Sequence, residues 1–325
     1  MQLIVIFSYN RALQLDYLLK SIFEKFKSLN FQIAVIYHTV GGHELGYEKL
    51  SNKYKNHTNV SFYKRKPKYF NFNWSSFLII SNFKKSIKYS FLFNRKCDDF
   101  KELLESILEK TNAEFVMFNT DDGVYIDNVN VEKSVYELIR QNPFQASFRL
   151  YLGKNIFGLP DYVKVENNTC VWNYFTPDIF NHWTCMFSVD GTIYSTNGML
   201  EVLKKVEYHN PITLEANVYD YSKYKSLFGL GMSPIKSSLV CTKLNRVSVD
   251  SFNPTISINV DYLNEKFLDD YELRILIPKS INNANVVPNE VLLIKDNEVI
   301  SIYKIDEYGE IVQNALGPEG TKYIV

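Results

Sequence analysis

The chain has no Cys-x-x-Cys pair; its four cysteines, at positions 97, 170, 185 and 241, are scattered through 325 residues. That spacing excludes a Cys-rich zinc site, and a chain of this length needs no disulfide staples, so reduced cysteines are expected. Net charge is absent as well, because 36 basic residues balance 36 acidic ones. A general nucleic-acid binder carries a basic excess, so no nucleic-acid partner is expected. Neither GxxxxGK[ST] nor GxGxxG occurs, which removes two standard phosphate-binding fingerprints. No apolar run approaches the length of a membrane span. Met1-Gln-Leu-Ile-Val-Ile-Phe7 has no basic region before it and no small-residue cleavage site after it, so it reads as a strand and not as a leader. The expectation is a cytoplasmic protein without a transmembrane segment. Peripheral contact with the inner face of the membrane stays open through Tyr63-Lys-Arg-Lys66-Pro67-Lys68-Tyr69-Phe70, which mixes bases with aromatics; a solvated loop is the simpler reading.

What is there is a chain 46% hydrophobic, enough for a sizeable core. The first 125 residues alternate strand and helix patterns. Leu3–Phe7 and Phe31–Tyr37 are β-rich, and Val60–Tyr63 reads as a third strand. Between the first two, apolar residues at 13, 15, 18, 19, 22 and 23 have helical spacing over Ala12 to Phe26. A short helix is expected around Tyr47 to Lys53, and another over Trp74 to Lys88. Asp98 to Lys110 is a further helix, with Asp98 or Asp99 as its cap and Phe100, Leu103, Leu104, Ile107 and Leu108 on one face. Such alternation implies an α/β fold with a mostly parallel sheet and helices on both faces. After Tyr125 the sequence predicts helices over Val131–Gln141, Gly198–Tyr208 and from Pro211, which suits a first helical turn. A strand is expected over Ala146–Leu152, and irregular aromatic chain over Asn155–Pro177. From about 254 the pattern is polar strands and turns, including a hairpin around Asp296-Asn297. The division that follows is residues 1–250 as one unit, with halves at about 1–125 and 126–250, and a small β-rich extension over 251–325.

The most informative stretch is Glu114-Phe-Val-Met-Phe-Asn-Thr-Asp121-Asp122-Gly123-Val-Tyr125. An apolar strand ends in two adjacent carboxylates. In open α/β sheets ligands bind beyond the carboxyl ends of the strands. Two acids there need neutralising, and Mg²⁺ or Mn²⁺ carrying a diphosphate does so with hard oxygen ligands. The plainer reading is an acidic Asp-Gly turn. Ser8-Tyr9-Asn10-Arg11 follows the first strand in the corresponding position; it either contacts a ligand or is a simple strand-to-helix turn with Asn10 as N-cap.

Together, Ile4-Val-Ile-Phe-Ser-Tyr9-Asn10-Arg11, the helix with Leu18-Leu19-Lys-Ser21-Ile22 and Phe118-Asn-Thr-Asp121-Asp122-Gly-Val-Tyr125 resemble nucleotide-sugar glycosyltransferases of the GT-A fold, of the family-2 kind. Ser188-Val-Asp190-Gly191 is similar to their acceptor-side Gly segment, and Asn210-Pro-Ile-Thr-Leu-Glu215 falls where they carry a catalytic carboxylate opening a helix. The resemblance covers roughly residues 1 to 250. It implies a Rossmann-like GT-A sheet, a nucleotide-diphosphate sugar donor, a glycan or lipid-linked acceptor and an inverting, metal-assisted transfer. One departure concerns the Asp-x-Asp pattern, because Gly123 stands where the second metal acid would be if Asp121 is the first.

On that footing Asp121 and Asp122 hold the metal, and Ser8, Tyr9, Arg11, Arg95 and Asp121 meet the donor, with Lys96 beside Arg95. Glu215 is the first candidate for general base and Asp190 the second, although Asp190-Gly191 is also a simple hairpin turn. His182, Trp183 and His209 are acceptor-side candidates, with His209 also a conceivable third metal ligand; a buried aromatic cluster is the plainer reading of Trp183. Two rivals remain. A non-catalytic GT-A-like protein would bind a carbohydrate or a partner. A nucleotidyltransferase would carry a Gly-rich basic loop where Ser8–Arg11 stands, and no glycine is present there.

Overall fold

Apolar residues at every position of Leu3–Phe7 suit a strand covered on both faces. A computed structural model describes residues 1–27, 29–67, 98–156, 158–175, 181–246, 255–306 and 311–314. There this run is β1 (Gln2–Tyr9), with Leu3 to Phe7 all buried. The chain continues through α1 (Ala12–Lys25), β2 (Phe31–His38), α2 (Glu44–Tyr54), β3 (Val60–Lys64), α3 (Phe100–Lys110) and β4 (Phe115–Thr120). β1 pairs in parallel with β2 and with β4, and β2 pairs in parallel with β3. The path thus runs outward from β1 to β3 and returns past β1 to β4. Right-handed crossovers place the helices of these two moves on opposite faces, and accordingly α1 packs with α2 while α3 packs against a later helix, α5.

The second half adds β5 (Gly123–Tyr125), α4 (Lys133–Gln141), β6 (Ala146–Arg149), β7 (Lys164–Glu166), β8 (Thr169–Asn173), β9 (Thr192–Ser195), α5 (Thr196–Leu203), α6 (Pro211–Lys225), β10 (Leu230–Pro234) and β11 (Leu239–Thr242). The main sheet has nine strands in the order β3-β2-β1-β4-β9-β6-β10-β8-β7. β9 is antiparallel to both β4 and β6, and β8 is antiparallel to both β10 and β7. All the other strands therefore run in one direction. The expected mostly parallel α/β sheet is present.

Several local expectations change. Asn155–Pro177 is not irregular throughout: it holds β7 and β8, joined by Asn167 and Asn168 with positive φ. The strand expected to reach Leu152 ends at Arg149. The helix expected from Gly198 starts at Thr196, because the Ser195 hydroxyl accepts the Gly198 N–H at 3.4 Å. Asp99 holds the N-cap position of α3 without a side-chain cap, its carboxylate accepting the Lys66 N–H at 2.7 Å, while Asp98 accepts the Phe100 N–H at 3.0 Å. The helix expected over Trp74–Lys88 lies outside the described residues.

Beyond residue 254 the chain is not only strands and turns. Asn259 caps a helix, α7 (Val260–Leu268), by accepting the Asp261 and Tyr262 N–H groups at 2.7 and 3.1 Å. β12 (Glu272–Leu276), β14 (Glu290–Lys295), β15 (Glu298–Ile305) and β16 (Ile311–Asn314) form a separate antiparallel sheet, while β13 (Asn285–Val286) pairs with β11, which in turn pairs with β5. The hairpin around Asp296-Asn297 forms as expected, with Asp296 at positive φ. This part is tied to the first half. Lys49 donates to the Phe267 and Leu268 carbonyls at the end of α7, and the Tyr17 hydroxyl meets both the N–H and the carbonyl of Ile275 on the edge strand β12.

Candidate active site

β1 and β4 are neighbours, so their carboxyl ends bring Ser8-Tyr9-Asn10-Arg11 beside Asp121-Asp122 across more than 100 residues of sequence. Asp121 is buried, and both its oxygens accept hydrogen bonds. One of its oxygens accepts from the Ser8 hydroxyl at 2.8 Å and the Tyr9 N–H at 3.0 Å; the other accepts from Arg11 Nη1 at 2.8 Å. Arg11 Nη1 also lies 3.4 Å from Asp122 Oδ2. The remaining guanidinium nitrogens bind Asn245, Nε to its side-chain oxygen at 2.8 Å and Nη2 to its carbonyl at 2.6 Å. Burial opposes charge on Arg11, but the two carboxylates outweigh it and raise its pKa. Burial likewise raises the Asp121 carboxyl, against the pull of Arg11.

Asn10 is not the cap of α1. Its φ is +55°, a left-handed conformation that Asn tolerates, and its side chain accepts the Val40 N–H at 3.0 Å. The residue before α1 is Arg11, without a side-chain cap. This turn aims the guanidinium back at β4.

Asp122 is the more open acid, with 27% of its side chain exposed. The nearby carboxylates come from the second half. Asp190 accepts from the Thr120 hydroxyl at 2.8 Å, so it sits against the end of β4. Gly191 follows at φ +55°, where an added Cβ would lie 2.2 Å from Leu239 Cδ2; only glycine fits this bend. Glu215, in the first turns of α6, accepts the Val189 N–H at 3.1 Å. Desolvation, then Glu215 and Asp122, push Asp190 up to about 7. Desolvation also raises Glu215, opposed by the Val189 N–H, Ser188 and Arg149. The two acids titrate as one system.

Other predicted residues fall elsewhere. Tyr9 stacks on His38, its parallel neighbour on β2, with centroids 5.5 Å apart and planes 12° apart. Beside His38, Arg65 pairs with Asp98 at 2.5 Å and donates to the His209 carbonyl at 2.9 Å. Burial and Arg65 lower the His38 pKa. His209 is thus near the ends of β2 and β3. Among the described residues no group of three or more His, Cys, Asp or Glu side chains could hold a metal ion. Trp183 is 1% exposed and packs edge-on to Trp172 at 4.9 Å; the buried aromatic cluster is the reading realised, and the ring offers no open face to a sugar. The His182 side chain is exposed, and its carbonyl accepts from Arg149. Arg95 and Lys96 lie outside the described residues, as do Lys68, Tyr69 and Phe70. Of the other bases in that loop, Lys64 pairs with Glu44 and Arg65 with Asp98.

Among solved structures, the chain resembles TarS from S. aureus, with 15% identity over 82% of this chain and 38% of that one, at a TM-score of 0.42. TarS residues 1–349 in complex with UDP give 14% identity over 82% and 64%, at 0.41. The mannosyltransferase PcManGT from Pyrobaculum calidifontis, in complex with GDP-Man and Mn²⁺, gives 9% identity over 46% and 34%, at 0.27. The chain therefore spans less than two thirds of the length of these TarS chains. No family model matches the sequence, and no curated protein matches it.

Sequence reasoning missed four contributors. His38 had one signal, its register with Tyr9. Tyr47, whose hydroxyl lies 2.5 Å from the Ser8 Oγ and accepts the Arg11 N–H, had none. Asn245 lies 234 residues from Arg11 and stands in a segment without a motif. Arg149 is fully buried, donating to the Tyr151 hydroxyl at 2.5 Å and to the Cys185 carbonyl, and reads in sequence as an ordinary strand residue.

Proposed function

We propose that this chain is a GT-A-type glycosyltransferase that moves a sugar from a nucleotide-diphosphate sugar to a hydroxyl acceptor on a glycan or a lipid-linked glycan. The observation that carries the reading is the junction of Ser8, Tyr9 and Arg11 with Asp121 and Asp122 at the carboxyl ends of β1 and β4, where an open α/β sheet binds its ligands.

The donor set fits a divalent ion only in one form. Both oxygens of Asp121 already accept hydrogen bonds and the residue is buried, whereas Asp122 is more open and makes a single long contact to Arg11. Mg²⁺ and Mn²⁺ sites of this kind use one or two carboxylates and take the remaining ligands from phosphates and water. Asp122 would hold the ion, which when bound neutralises the charge growing on the diphosphate leaving group. Arg11, fixed by Asn245, orients Asp122 through Nη1. Tyr9, backed by His38, offers a ring to the nucleobase. Asp190 takes the acceptor proton, in an inverting transfer; its burial, and then its neighbour Glu215, raise its proton affinity to near neutrality. This assignment reverses the sequence-based order of the two acids, because Asp190 touches the end of β4 and Glu215 is held by the Val189 N–H. No helix among the described residues is long and apolar enough to cross a membrane. We place the chain in the cytoplasm, with the solvated-loop reading of the basic segment at the end of β3 preferred over membrane contact, since Lys64 and Arg65 pair with Glu44 and Asp98.

Metal-dependent hydrolysis of UDP-, GDP- and dTDP-sugars tests the reading. The expectation is turnover of one donor with Mn²⁺ and a loss of about 10²-fold or more in Asp122→Ala, the scale of removing one electrostatic partner of a leaving group. Donor binding without turnover of any donor, with or without an acceptor mixture, would favour a binding protein built on the same sheet.

A further inference from the structure

A cavity of about 890 Å³ opens between the second half of α1, the β5 segment and the β12 region of the C-terminal sheet. It is separate from the acids of the candidate active site. Its α1 residue Ser21 lies ten residues beyond Arg11, about 15 Å along the helix at 1.5 Å per residue. The size falls in the range of built ligand sites.

Its lining mixes two chemistries. The aliphatic residues Ile126, Leu276, Ile277, Ile281 and Ile294 are all half-buried, and Ile126, Ile277 and Ile281 also pack against the core. The same lining carries five cations, Lys20, Lys25, Lys236, Arg274 and Lys279, against two acids, Glu24 and Glu272. Three of the cations are committed: Lys20 to Glu272 at 2.7 Å, Lys25 to Glu24 at 2.8 Å and Lys236 to Asp127 at 2.9 Å. Arg274 and Lys279 are exposed and, among the described residues, have no carboxylate within ion-pair distance. A neutral amphiphile would leave both charges unmatched. A small inorganic anion would leave the aliphatic lining in water. A ligand with an apolar chain and an anionic head satisfies both, and Arg274 supplies the planar fork that matches a phosphate.

We propose that this cavity binds the phosphate-headed end of a lipid, with the chain along the isoleucines and the phosphate between Arg274 and Lys279. The site stands apart from the transferase reading, since none of its residues is placed in the transfer. It gives the C-terminal region a role: β12 and the segment after it supply Arg274, Lys279 and much of the aliphatic lining, and Tyr17 fixes β12 to α1.

The test is calorimetric titration of the full chain with monomeric dodecyl phosphate, with dodecyl maltoside as the neutral chain and inorganic phosphate as the bare head. Dodecyl phosphate should bind about tenfold or more tightly than either. In the double variant Arg274→Ser, Lys279→Ser that preference should vanish, while the melting temperature stays at the wild-type value. Asp122→Ala should bind dodecyl phosphate like wild type, whatever becomes of nucleotide binding. Equal binding of dodecyl maltoside would reduce the cavity to an apolar patch, and equal binding of inorganic phosphate would make it a plain anion site. Unchanged binding in the double variant would move the lipid elsewhere. Each of these three results overturns the proposal.

Discussion

Asp190 carries the clearest pH consequence. Its folded pKa, about 7, lies above the roughly 3.9 of an unfolded aspartate. Between those values the folded chain keeps a proton that the unfolded chain has released, so stability falls as pH rises from about 4 to about 7 and then levels. Asp190→Asn should flatten that part of a melting-temperature profile and raise the melting temperature at pH 8. In the same variant turnover should fall by about 10²-fold or more, the usual worth of a general base. A variant that melts higher yet turns over normally would remove Asp190 from the chemistry. Arg11 shows why single residues were only partly legible. The Tyr-Asn-Arg turn could be read as ligand-facing, but its internal use, one guanidinium shared between Asp121 and Asn245, depends on a partner with no sequence signature.

Elements with strong local chemistry could be read directly. Helix α6 is one, since Asn210 accepts the Thr213 N–H at 2.8 Å, the Thr213 hydroxyl answers the Asn210 N–H at 3.1 Å, and Pro211 sits in the first turn. This cap also sets where Glu215 begins its turn. Asn210→Ala should cost about 1 kcal/mol of stability in urea unfolding, the usual worth of an N-cap. A loss under a few tenths would mean that packing of Leu214 and Val218, not the cap, fixes the helix start. β1, β2, β4, α1 and α3 were equally legible, because a continuous apolar run or a clean helical stripe needs no tertiary information. The failures have one cause. β7 and β8 are short, form the last two strands of the sheet with β7 at its edge, and gain their regularity from pairing with each other and with β10. α7 is nine residues long and leans on α1 and α2, so its pattern is weak by itself.

Taken whole, the parts on either side of the sequence division at about 250 share contacts. β11 joins β5 of the first half to β13 of the last part, and Gly46 lets α2 approach Asn264 of α7 closely. A chain ending at residue 254 should therefore lose its cooperative melt, because Tyr17, Lys49 and the α1 face would lose partners together. A truncated chain that melts like the intact one would restore the two-unit division. The architecture could be read from alternation of elements, and the carboxyl ends of β1 and β4 followed from it; which acid does what did not, since that depends on burial and on contacts made across the sheet. The account rests on a nucleotide diphosphate held at Asp122, and calorimetry with UDP, GDP and dTDP, each with and without Mn²⁺, on wild type and Asp122→Ala, measures that directly. The account predicts Mn²⁺-dependent binding of one nucleotide, lost in Asp122→Ala. Binding that ignores both Mn²⁺ and the substitution, or no binding of any nucleotide, would contradict it.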